Sequence, residues 1–238
     1  MIRYLALLAL LAAPLAHADN SLHHDLPLPY LEQAPRDTRN QPLVIFLHGY
    51  GSNEADLFGL REGLPAGYTY LSARAPQTLE EDSFQWFQRK GQGPYDGVTE
   101  ELASSAELIG EFIRAAQAKY HTQADKVVLV GFSQGAVMAY EVGLRQPQSV
   151  RGIAALSGKI LPLLAGQVQS SPALQRLGIF IGHGTLDQRL PYSDAEAANR
   201  LLRRLALAPQ FHAYPGMGHS ISQVEIDDLK RWLQGLEP

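Results

Sequence analysis

The chain predicts a three-layer α/β domain with a mostly parallel central sheet, and three observations carry that expectation. Short, unbroken apolar runs of strand length, such as Leu43–Leu47 and Val127–Val130, suit strands covered on both faces. These runs alternate with stretches of helical periodicity along one continuous unit, with no repeat and no linker, as a sheet layered between helices requires. The third observation is Lys126–Gly143, KVVLVGFSQGAVMAYEVG, where a buried strand passes through Gly131-Phe132-Ser133-Gln134-Gly135 straight into a buried helix.

That last stretch is the centre of the reading. A strand that turns sharply into a helix around a serine needs small residues two places to either side, and Gly131 and Gly135 supply them. The turn pushes the Ser133 hydroxyl outward at the positive end of a helix, where developing negative charge is favoured. A G-x-S-x-G pattern alone is weak; the strand before it and the helix after it make a nucleophile elbow.

Composition excludes several classes. The formal charge of −4, an isoelectric point near 6.1 and 45% apolar content describe an ordinary globular chain, with no basic patch for nucleic acid. Residues 1–18 read as a secretory signal peptide: a basic start at Arg3, an apolar Leu5–Leu15, and the Ala16-His17-Ala18 cleavage pattern. Cleavage after Ala18 would leave a periplasmic or secreted protein with no membrane span. There is no cysteine, so neither disulfides nor cysteine-linked lipid are available.

The elements follow in order. Residues 19–41 are proline-rich and polar and read as a leader with at most one edge strand; His23-His24-Asp25 lacks a further ligand at metal spacing and reads as flexible surface. The catalytic domain is expected over 42–238. Leu43–Leu47 is a buried strand ending in His48-Gly49-Tyr50-Gly51, a turn that exposes backbone N–H groups; His48 reads as fixing that loop. A short helix is expected from Ser52 or Asn53, and a strand at Tyr68–Leu71. The aromatic, irregular Phe84–Tyr95 either lines a pocket or caps the core. On the first reading Trp86 and Phe87, with Leu186 and Met217 from later loops, form the substrate pocket.

Thr99 is an expected N-cap for a helix whose Leu102, Ile109, Phe112, Ile113, Ala116 and Tyr120 share one face. After the elbow come a strand at Val150–Leu156, a loop or short lid at Leu161–Leu177, and a strand at Gly178–Ile181. Next are a helix from Pro191 to Leu207, a strand at Pro209–Tyr214, and a closing helix behind the capping box Ser222–Glu225. Ser157 reads as structural.

A serine hydroxyl is a poor nucleophile until a base takes its proton, and the base needs an acid to hold its tautomer. After Ser133 the histidines are His183, His212 and His219. His212 falls within a strand and His183 precedes the acid in a tight turn. His219, in a glycine-rich loop after the last strand, fits the chain order serine, acid, histidine. Asp187 follows its strand by a short turn, whereas Asp194, Asp227 and Asp228 fall in helices. The oxyanion donors are assigned to the backbone N–H groups of Tyr50 and Gln134.

From Leu43 to its end, the chain resembles the phospholipase/carboxylesterase group of α/β-hydrolases, the small acyl-protein-thioesterase-like serine esterases. The matching pieces are LHGYGSNEADL (47–57), ARAP (73–76), QWF (85–87), GFSQGAVMA (131–139), LSG (156–158), HGTLDQRLP (183–191) and YPGMGHSIS (214–222). The resemblance implies the α/β-hydrolase fold, Ser133 as nucleophile, Asp187 as orienting acid, His219 as base, and no metal or organic cofactor. It implies hydrolysis of a small-molecule or lipid ester. Carboxylesterase is favoured, with lysophospholipase or acyl-thioesterase as the alternative. A binding protein without turnover is the remaining reading, against which the complete serine, acid and histidine set argues.

Overall fold

The computed structural model describes residues 17–90 and 100–236, with side chains described from residue 21. Its strands are β1 (His17–His23), β2 (Tyr30–Ala34), β3 (Leu43–Leu47), β4 (Thr69–Ala73), β5 (Gln77–Glu80), β6 (Ser83–Gln85), β7 (Val127–Phe132), β8 (Gly152–Leu156), β9 (Gly178–Gly184) and β10 (Gln210–Tyr214). The helices are α1 (Glu54–Phe58), α2 (Glu100–Tyr120), α3 (Gln134–Arg145), α4 (Pro162–Gln167), α5 (Tyr192–Arg204) and α6 (Gln223–Gly235).

Eight strands form one sheet in the order β1-β2-β4-β3-β7-β8-β9-β10, while β5 and β6 make a separate hairpin. From β4 to β10 every pairing is parallel; β1–β2 and β2–β4 are antiparallel. The apolar runs account for this: β3, β4 and β8 are buried at every position, as strands covered on both faces must be. The chain leaves β3 for β4 on one side and returns to β7 on the other. The loops beyond β3 and β7 therefore diverge and open a crevice at the carboxyl ends of the strands.

One face carries α2, α3, α4 and α5 over Ile45, Leu129, Ile153 and Ile181. The other carries α1 and α6 over Val44, Val130, Leu156 and Phe180. Helix α2 buries the six apolar residues expected of it. Thr99 and Tyr95 lie outside the described residues, as does the expected signal segment up to residue 16.

Several expectations need correction. The 19–41 leader, expected to hold at most one edge strand, supplies most of β1 and all of β2, and β1 takes in His17 and Ala18. Long-range contacts explain it. Tyr30 is fully buried and donates to Asp25 Oδ1 at 2.9 Å; it also accepts from Lys119 on α2. Tyr120 donates to Glu32 Oε2 at 2.6 Å. His23 stacks on Tyr30 with ring centroids 5.2 Å apart, so the His23–Asp25 stretch is docked rather than flexible. Helix α5 ends at Arg204, not Leu207, and β9 runs on to Gly184, three residues past the expected end.

The capping box is half made. Ser222 Oγ accepts from the Glu225 N–H at 3.2 Å, but the Glu225 carboxylate faces the sheet, where Gly182 has left it room. Glu225 is fully buried, neither oxygen has a partner among the described residues, and burial pushes its carboxyl up to about 8. Above its ordinary value of 4.5 the unfolded chain releases this proton while the folded chain keeps it to about pH 8. Stability from this group is therefore complete in acid and is lost as pH rises through that window, by up to about 1.4 kcal/mol per unit. Glu225→Gln should flatten the fall in urea midpoint between about pH 5 and 8 and be the more stable protein at the alkaline end. Parallel pH profiles for the two proteins would show that Glu225 carries its charge in the folded state.

Candidate active site

The elbow is built by three segments meeting too closely for side chains. A Cβ on Gly131 would lie 2.2 Å from Gly135 O, and one on Gly135 would lie 1.9 Å from Leu47 O, at the end of β3. Ser133, between them, has φ +55° and ψ −113°, a strained conformation for a residue with a side chain. Its N–H is held by Leu156 O at 2.9 Å, and its carbonyl accepts from Ala136 and Val137 as α3 begins. The hydroxyl is thereby aimed out of the turn.

His219 Nε2 lies 3.0 Å from Ser133 Oγ, and His219 Nδ1 lies 2.7 Å from Asp187 Oδ2. Because the carboxylate accepts, Nδ1 carries the imidazole proton and Nε2 is left to accept from the serine. Burial alone would raise the Asp187 carboxyl. Hydrogen bonds from His219, from Leu190 N–H at 3.0 Å and from Arg189 N–H at 2.8 Å outweigh it and hold the group below its ordinary value. The two loops are laced together: Leu186 N–H donates to Met217 O, Thr185 N–H to Tyr214 O, and Gly216 N–H to Thr185 Oγ1, each at 3.0 Å. A Cβ on Gly184 would strike Met217 O at 2.2 Å, so this contact too depends on a glycine.

The turn after β3 lies against the serine, since a Cβ on Gly49 would sit 3.4 Å from Ser133 Cβ. Tyr50 follows in that turn. Gln134 opens α3, where the first N–H groups have no intrahelical acceptor. His48 fixes the turn: Nδ1 donates to Gly49 O at 2.8 Å and Nε2 accepts from Ala75 N–H at 3.0 Å. Burial lowers the pKa of its imidazole, so it stays neutral. Gly51 and Phe84 exchange a further bond at 2.9 Å, which pins the turn to β6.

Beside Ser133 opens a cleft of about 400 Å³, lined by Tyr50, Arg89, Phe132, Arg189, Leu190 and His219, with Asp56 also on its wall. The expected pocket residues are elsewhere. Trp86 and Phe87 are fully buried in the core, with the Trp86 indole donating to His48 O at 2.9 Å. Leu186 is 63% exposed and, like Met217, does not line the cleft. Phe84, Trp86 and Phe87 therefore cap the core, as the second of the two readings had it, while Arg89 of the same stretch reaches the cleft. Phe84 and Gln85, expected to be irregular, belong to β6 of the β5–β6 hairpin.

A role for the Gln134 side chain was not read from the sequence. Its Oε1 accepts from Trp86 N–H at 2.8 Å and its Nε2 donates to Phe87 O at 2.7 Å, clamping the aromatic segment to the elbow. The one signal for it was a long polar residue at the head of a helix otherwise buried on all sides.

Comparison with known proteins agrees with this architecture. The phospholipase/carboxylesterase family model matches residues 30–236. An acyl-protein thioesterase 1 of Mycosarcoma maydis is 32% identical over 219 residues, covering 82% of this chain and 91% of that one. Among solved structures, esterase PE8 is 28% identical with a TM-score of 0.76, covering 89% of this chain and 99% of that one. The Bacillus cereus carboxylesterase is 25% identical with the same TM-score, covering 88% and 95%.

Replacing Gln134 by methionine leaves the buried Trp86 N–H and Phe87 C=O unpaired. It should lower stability by about 2–4 kcal/mol, read from denaturant unfolding, while the residue's own backbone N–H remains. A variant as stable as the parent would show that the aromatic segment does not depend on this clamp.

Proposed function

The chain belongs to the phospholipase/carboxylesterase family of hydrolases, and on that premise we propose that it is an exported serine esterase acting through Ser133, His219 and Asp187. The observation that carries this reading is the hydrogen-bonded line from Ser133 Oγ through His219 to Asp187, set at a strained elbow. His219 Nε2 takes the hydroxyl proton as Oγ attacks the carbonyl carbon, and the carbonyl electrons move to oxygen. The Tyr50 and Gln134 N–H groups receive that oxyanion, each donor of this kind being worth about 3–4 kcal/mol of barrier. The imidazolium, stabilised by Asp187, returns the proton to the leaving alcohol. Water, deprotonated by the same base, then cleaves the acyl-enzyme. The residues present supply every proton transfer of this sequence.

A thioester carbonyl would meet the same groups, and the Mycosarcoma maydis relative bears a thioesterase name. The cleft favours a second reading. Arg89, whose guanidinium lies over the Tyr50 ring, and Arg189 line the same cleft as the reacting serine, as does Asp56. A phosphate-bearing ester such as a lysophospholipid would find cations there, charge-assisted partners for its phosphate oxygens.

The test is labelling by a fluorophosphonate beside turnover of p-nitrophenyl esters from acetate to laurate, of a lysophospholipid and of an acyl-thioester. The parent should label and turn over ester, and Ser133→Ala should lose both, with kcat down by roughly four orders of magnitude or more and the fold kept. Labelling of the alanine variant would point to another nucleophile; a folded parent that neither labels nor turns over would favour a binding protein.

Export is part of the same proposal, supported by the basic, apolar and A-x-A order of residues 1–18. Protein recovered from the periplasm or medium should begin at Asp19 by intact-mass measurement. An intact chain retained inside the cell would overturn export.

A further inference from the structure

A second histidine sits on the candidate acid. His183, near the end of β9, is fully buried, and its Nε2 lies 2.9 Å from Leu190 O and 3.3 Å from Asp187 Oδ2. A carbonyl only accepts, so Nε2 carries the proton and points it into the Asp187–Leu190 turn. Leu190 in turn gives its N–H to Asp187 Oδ1 at 3.0 Å. The imidazole therefore meets the carboxylate at Oδ2 and holds the carbonyl of the residue whose N–H meets Oδ1. Its other nitrogen, Nδ1, has no partner among the described residues.

We infer that His183 is a positioning residue for the reaction. Its Nε2–H holds the Leu190 carbonyl and the Oδ2 edge of Asp187. Oδ2 then stays aimed at His219 Nδ1. The polar line runs His183, Asp187, His219, Ser133, with only its last three members doing the chemistry. This inference rests on the esterase reading of the same site.

Two variants of the full chain test it, His183→Leu and His183→Gln, each assayed for kcat, KM and melting temperature on a short p-nitrophenyl ester. His183→Leu should lower kcat by roughly ten- to hundredfold with KM little changed, because the acid is misaligned rather than the substrate site lost. His183→Gln, whose amide nitrogen can donate to Leu190 O, should recover most of kcat, a rescue that a volume-filling role would not show. A folded His183→Leu with parental kcat overturns the inference. If His183→Leu does not fold, His183→Gln against the shorter His183→Asn decides: glutamine alone active supports the inference, and equal activities overturn it. A parent inactive toward every ester and the fluorophosphonate would instead remove the esterase reading itself.

Discussion

The first turn of α3 presses directly on the end of β3, and that contact exists only because residue 135 has no side chain. Much else follows from it. Bringing α3 that close forces the reversal at Ser133 into a positive φ, which the surrounding hydrogen bonds to Leu156 O and from the first turn of α3 hold in place. The same approach carries the His48–Tyr50 turn beside the serine and lets Gln134 reach the backbone of Trp86 and Phe87. An alanine would fit the local helix better and would push these parts apart.

Two buried carboxylates show how differently the faces of this sheet treat charge. Asp187, at the end of β9, is met by two backbone N–H groups and a histidine, and these donors outweigh its burial. Glu225, on α6 at the other face, lies against Gly182 with no donor at either oxygen among the described residues and keeps its proton. The difference is the turn that follows β9, which supplies the donors to Asp187. Donors fixed before any reaction hold Asp187 as an anion without reorganisation, which is what an orienting acid needs to stabilise an imidazolium.

What the sequence left unreadable had a common cause. Tyr30, in a proline-rich polar stretch, looks like surface until Lys119 and Tyr120 close around its hydroxyl from the far end of α2. Trp86 and Phe87 look like pocket aromatics, yet Gln134 takes two of the polar groups of that segment and His48 and Ser105 one each, which draws it into the core. The cleft is lined instead by Arg89, Arg189 and Leu190, which no periodicity marks. His183 reads as part of a tight turn, and only the fold brings a second histidine onto the acid.

The sequence by itself determined the layers and the sharp turn at Ser133. Strand-length apolar runs alternating with helical faces leave few ways to bury both faces of a sheet. The spacing of Gly131 and Gly135 around Ser133 allows only a sharp turn there, and the later strand ends carry Asp187 and His219 on to the same crevice. The tertiary structure alone decided which polar groups meet across that sheet, and therefore which aromatic residues are core, which carboxyl keeps its proton and what lines the cleft. Local pattern records the period of burial along one segment. Hydrogen bonding between segments far apart in the chain leaves no trace in that period, since a polar residue satisfied by a distant partner is spelled the same as one satisfied by water.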